Sequence, residues 1–167
     1  KVILKGLGKL IQKWPSKSPM IRKKVMGALT ATMVNAKSDS LISYSFSSLQ
    51  KFNISMKEIS NDLVFYYSLF LSHPTFKVRK SCATFLLSMQ NYFPFIRLRL
   101  LSFVGTETHE ELRVSIFENL GGENKELISP LIQLFHDSTS SVRRLALIKL
   151  CNIQGATPFI SNYVNEV

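Results

Sequence analysis

Three histidines, two cysteines and many scattered serines are the residues of this chain that could carry chemistry. His73, His109 and His136 each fall between apolar-patterned segments, and none has a second histidine or a cysteine at the spacing a metal site uses. They read as turn caps or surface residues. Cys82 and Cys151 stand among apolar residues and read as buried free thiols of a reducing compartment, the cytosol or the nucleus. No serine lies in a Gly-x-Ser-x-Gly elbow. Gly6-Leu7-Gly8-Lys9 has the wrong spacing for a phosphate loop, and Leu10 stands where a magnesium-binding Ser/Thr belongs. Glu107, Glu110, Glu111 and Glu118 gather near Arg113, and the positive end of a helix accounts for most of them. The expectation is therefore no catalytic residues, no metal and no cofactor: the chain does not read as an enzyme.

Charge offers a second kind of chemistry. Residues 1–38 contain nine Lys/Arg and no acid, whereas the formal net charge of the whole chain is +10. Lys1, Lys5, Lys9 and Lys13 recur in steps of four, which on a helix makes one cationic stripe, and Lys17, Arg22, Lys23 and Lys24 follow. Three like-charge pairs at that spacing cost about 1 kcal/mol together, less than burial of Leu10 or Trp14 returns at about 1.5–3 kcal/mol each. The fold tolerates the stripe, so its presence does not demand a partner. A run of this kind nevertheless suits an anionic partner, either nucleic acid or an acidic protein.

These residues must be positioned by helices. Hydrophobic content of 46% against 19% charged residues supports a folded core in 167 residues, and apolar stretches such as 63–67 are far too short to span a bilayer. Apolar spacing of three and four predicts helices over 1–14, 20–35, 58–72, 76–91, 95–104, 110–120, 127–135 and 142–150, with another opening at 156. The serine-rich stretch 41–52 alternates in a way that also suits a strand; its helical neighbours favour helix. Pro15, His73-Pro74, Gly105, Gly121-Gly122 and Gly155 punctuate the chain, and Thr108 is expected to cap the helix from Glu110.

Four predicted helices open on an apolar residue followed by arginine: Ile21-Arg22, Val78-Arg79, Leu112-Arg113 and Val142-Arg143. The last three arginines are 34 and 30 residues apart, a spacing that suits helical-hairpin repeats. With Pro130, Asp137, Val142, Arg143, Ala146 and Leu150 in place, the chain resembles the HEAT/armadillo superfamily. Leu71, Val78, Arg79, Ala83 and Leu87 fit the same pattern, although His73-Pro74 stands where the turn acid is expected. The resemblance implies an all-α fold, a right-handed α-solenoid of stacked antiparallel hairpins with about nine to ten helices. Its units would be 1–36, a degenerate 38–56, 57–92, 94–122, 124–154 and the start of another from 156. It also implies that turn acid and helix-opening arginine tie successive units, making Arg79, Arg113, Asp137, Val142 and Arg143 structural anchors. Lys23, Lys80 and Arg144 each follow a repeated arginine and would line one surface, or else remain solvated helix starts.

Such a fold presents surfaces and leaves function to whatever is grafted on them. The expected role is a non-catalytic scaffold for protein partners, continuous with further repeats in a longer chain and without membrane contact. The alternative is sequence-independent contact with nucleic-acid phosphates through the basic end, since Trp14 is the single aromatic in residues 1–38 and reads as buried.

Overall fold

The computed structural model describes residues 19–51, 59–122 and 124–165. Among them lie nine α-helices, joined by turns and short 3-10 segments, and no strand, as the apolar spacing predicts. The expected helix over 1–14 lies outside the described residues. The chain divides into two compact units, residues 1–89 and 90–167.

The first unit contains α1 (Pro19–Val34), α2 (Asp39–Lys51), α3 (Asn61–Ser68) and α4 (Phe76–Met89). Helix α2 packs against α1 on one side and α4 on the other, and α3 folds back along α4. Serine density leaves α2 ambiguous in sequence, and the structure shows why helix wins. Ser45, Ser47 and Ser48 each donate a hydroxyl proton to the carbonyl four residues earlier, which satisfies them inside the helix. Ser45 and Ser48 are thereby buried at little cost. Ser60 opens α3 by accepting from the Leu63 amide at 3.2 Å. The predicted helix over 58–72 begins later, at Asn61, and its last turn tightens into a 3-10 segment, Leu69–Ser72, just before Pro74.

Phe46 is fully buried at the centre of this unit, with the rings of Tyr67, Phe70 and Phe85 at 6.0, 5.5 and 5.7 Å. Tyr67 meets Phe85 edge to face at 5.5 Å. The hydroxyl of Thr30 donates its one proton to the Met26 carbonyl at 2.9 Å, so in its 2.6 Å contact with Thr30 the Tyr67 hydroxyl is the donor. Burial raises the Tyr67 pKa above the ordinary phenol value, keeping it protonated in that role.

The second unit contains α5 (Phe95–Val104), α6 (Glu110–Asn119), α7 (Ile128–Gln133), α8 (Ser140–Cys151) and α9 (Thr157–Asn165). Short 3-10 turns, Lys125–Leu127 and Leu134–His136, bracket α7, so the helix predicted over 127–135 is built in three pieces. Helix α8 packs on α6, α7 and α9, and α5 packs on α6 and α7. The α6–α7 connection is clamped from outside itself. Gln90 accepts from the Gly121 amide at 2.8 Å and donates to the Asn119 carbonyl at 2.9 Å. Gly122 follows at φ +97°, where a Cβ would stand 2.9 Å from Nε of Arg97. Lys149 donates to the Leu120 carbonyl at the end of α6, and partial burial lowers its pKa.

Replacing Phe46 by alanine should destabilise the protein by about 3–5 kcal/mol, because it opens a cavity among three other rings. Urea unfolding of the variant beside the parent protein measures the loss.

Candidate functional site

The turns between helices hold most of the chain's potentially reactive groups, and three of them share one construction. At 137–139 the Asp137 carboxylate accepts from the Thr139 amide at 2.8 Å. At 107–109 the Glu107 carboxylate accepts from the His109 amide at 3.0 Å. At 73–75 the imidazole of His73 does the same through Nδ1, accepting from the Thr75 amide at 3.1 Å. In each case a side chain at one residue satisfies the amide two residues on, just before a helix whose first N–H groups have no intrahelical partner. Three residues into each helix an apolar side chain is buried: Val78, Leu112 and Val142.

An arginine follows each of these apolar residues. Arg79 donates through one nitrogen to the carbonyls of His73 (3.0 Å) and Pro74 (2.7 Å). Arg143 repeats the arrangement on the carbonyls of Asp137 (2.7 Å) and Ser138 (3.0 Å). Both therefore reach back six and five residues to close the turn that precedes their own helix. Arg113 is used differently. It is buried, it forms an ion pair with the buried carboxylate of Asp137, and it donates to the Thr139 hydroxyl at 3.4 Å. The turn at 107–109 is thus linked to the turn at 137–139. In the first unit a corresponding link is made by Asp39, which accepts from the Thr75 hydroxyl and lies 3.9 Å from Nε2 of His73.

Two expectations are corrected by this geometry. Thr108 does not cap α6: the N-cap residue is His109, whose amide and Nδ1 both approach Glu107 (3.0 and 2.9 Å). Glu107 therefore stands apart from the acidic surface group, its carboxylate having no solvent exposure. Cys151, the last residue of α8, is exposed, unlike the buried Cys82 in the middle of α4. Glu107 went unnoticed as a turn acceptor, whereas His73 was read as a turn cap or surface residue; counting six residues back from Arg79, Arg113 and Arg143 reaches His73, Glu107 and Asp137 in turn.

The candidate anion-binding residues fall out as follows. Lys5, Lys9, Lys13 and Lys17 lie outside the described residues. Arg22 lies on α1, where Lys23 and Lys24 are exposed. Lys80 is exposed on α4, its ammonium 5.8 Å from the Phe76 ring centre. Arg144 is exposed on α8 and lines a shallow cleft between α6 and α8 with Glu118, Ser140 and Ser141. The charge itself divides with the structure: residues 1–89 hold 14 Lys/Arg and 3 Asp/Glu, and residues 90–167 hold 7 and 8.

Among the described residues no three His, Cys, Asp or Glu converge as a metal site, and no helix is long and apolar enough to cross a membrane. Comparison with protein-family models, with curated proteins and with solved structures finds no match.

Removing either side chain of the Arg113–Asp137 pair should cost about 3–5 kcal/mol, since the remaining charge stays buried without its counterpart. A double-mutant cycle with Arg113→Met and Asp137→Leu checks this; the double variant should be less damaged than the two single losses add up to. Burial pushes the Cys82 thiol well above its ordinary pKa, and its proton is donated to the Tyr67 carbonyl at 3.2 Å. Iodoacetamide at neutral pH should therefore modify Cys151 promptly and Cys82 only after denaturation, which peptide mass mapping reads directly.

Proposed function

We propose that this chain is a non-catalytic helical-repeat scaffold of the HEAT/armadillo kind, a right-handed stack of helical hairpins that holds protein partners within a larger assembly. One observation carries the reading: the same turn, amide acceptor followed six residues later by arginine, recurs at 73–79, 107–113 and 137–143. The polar groups that might otherwise be offered to a substrate are engaged in joining helices to one another. The repeated pattern also supports further repeats continuing from this segment in its parent chain. A cytosolic or nuclear setting accords with Cys82 and Cys151 both being free thiols.

A second reading has its own support. The 14-to-3 excess of basic residues in the first unit suits sequence-independent contact with the phosphates of nucleic acid. The exposed residues Lys23, Lys24 and Lys80 would contribute there, beside the lysines of 1–17.

The two are separated by capture from lysate with and without nuclease. The scaffold reading expects protein partners that survive nuclease; loss of every partner after nuclease favours the second reading. For that second reading, fluorescence anisotropy on a generic duplex should show binding that weakens steeply between about 50 and 200 mM salt. Changing Lys5, Lys9, Lys13 and Lys23 together to alanine should lower the salt slope by about one per lysine. A duplex that does not bind at low salt, or a slope unmoved by the substitutions, removes it.

A further inference from the structure

We propose that the cleft between α2 and α4 is a binding site for inorganic phosphate in a form that keeps a proton. The inference goes beyond both readings above, since it concerns a small ligand and not a macromolecular partner. The cleft has a volume of about 200 Å³ and is lined by Ser40, Ser43, Tyr44 and Ser47 from one face of α2 and by Lys77 and Ser81 from α4. That is below the roughly 300–1,000 Å³ that encloses a drug-sized molecule, so the occupant must be small. One lining side chain lacks a partner. Ser45, Ser47 and Ser48 each donate to the carbonyl four residues earlier. Ser43 does not, although it is only 3% exposed, and its oxygen has no hydrogen-bond partner among the described residues. A buried hydroxyl left unpaired is costly, and an acceptor seated in the cleft removes that cost.

The surroundings set the sign of the ligand. Among the described residues that line the cleft, Lys77 is the one charged side chain. Ser40 and Lys77 are each the second residue of their helix, and the hydrogen bond from the Thr75 hydroxyl to Asp39 brings those two helix starts together. Two positive helix ends therefore lie beside the ammonium group. Asp39 itself faces Thr75 and His73 and does not line the cleft. The direction of the hydrogen bonds then selects among anions. Ser43 and Lys77 have protons to donate. Ser47 and Ser81 have already given theirs to the carbonyls of Ser43 (3.0 Å) and Lys77 (2.9 Å), so their oxygens offer lone pairs. Sulfate would set its own lone pairs against these. Inorganic phosphate at neutral pH has charged oxygens for Ser43 and Lys77 and a P–OH group for Ser47 or Ser81.

The test is nitrogen-15 NMR of the full chain, titrated with sodium phosphate at neutral pH and constant ionic strength, with sodium sulfate and sodium chloride as comparison salts. Phosphate should give saturable shifts at the amides of Ser40 to Tyr44 and of Lys77, and sulfate should bind roughly tenfold more weakly, the scale of one hydrogen bond. Ser43→Ala removes a hydroxyl that the fold leaves unpaired, so its thermal midpoint without phosphate should not fall. Its affinity for phosphate should drop by roughly tenfold or more, and that of Lys77→Gln by at least as much. Lys125→Gln, which removes the same charge from the second unit, should bind as the parent protein does. Equal shifts in chloride, sulfate binding as tightly as phosphate, or unchanged phosphate affinity in either Ser43→Ala or Lys77→Gln overturns the proposal. So does a Lys125→Gln variant weakened as much as Lys77→Gln, or a lowered midpoint for Ser43→Ala.

Discussion

Every helix that begins after a turn exposes amide groups with nothing on their own helix to bond to, and every helix that ends leaves carbonyls in the same condition. In a chain made of short helices this is the dominant constraint, because the joints are frequent. Here one compact device meets it repeatedly. A side-chain acceptor takes the amide two residues on, an apolar residue seals the first turn of the new helix, and arginine reaches back for the carbonyls just left behind. The aromatic and aliphatic core can then close around joints that are already satisfied.

The device is recognisable at three places but does not have one outcome. Arg79 and Arg143 each bond two carbonyls of the turn before their own helix, whereas Arg113 pairs with Asp137 of the next turn. The same residue type at the same register thus closes its own turn at Arg79 and Arg143 and links to the next at Arg113. Asp39 shows linkage made with the opposite sign of charge, accepting from Thr75. Tying one turn to the next depends on complementary groups being brought close, and either partner can supply the acid.

Much of the helical layout was legible because apolar spacing is a strong signal: the bounds of α5 were read directly, and those of α1, α2 and α6 lie within two residues of expectation. Less visible was the breaking of 127–135 into three pieces, since hydrophobic spacing cannot distinguish a 3-10 turn from the end of an α-helix. The arginines were found because Val-Arg and Leu-Arg pairs stand out. Of their acceptors, Asp137 was read as the turn acid and His73 as a turn cap or surface residue, while Glu107 was missed because it sits among other acids. Burial of Glu107, exposure of Cys151 and the hold of Gln90 on Gly121 depend on neighbours distant in sequence, which no local pattern reports. The basic excess was visible from the start; its coincidence with one compact unit was not.

Acceptor, apolar seal and arginine occupy seven consecutive residues at 73–79 and again at 137–143, so the hydrogen bonds that close each of these corners travel together in one short segment. The 107–113 and 137–143 corners are nevertheless not separable. Arg113 of the first is answered by an aspartate 24 positions downstream in the second, so excising 137–143 would leave a buried guanidinium without its counter-charge.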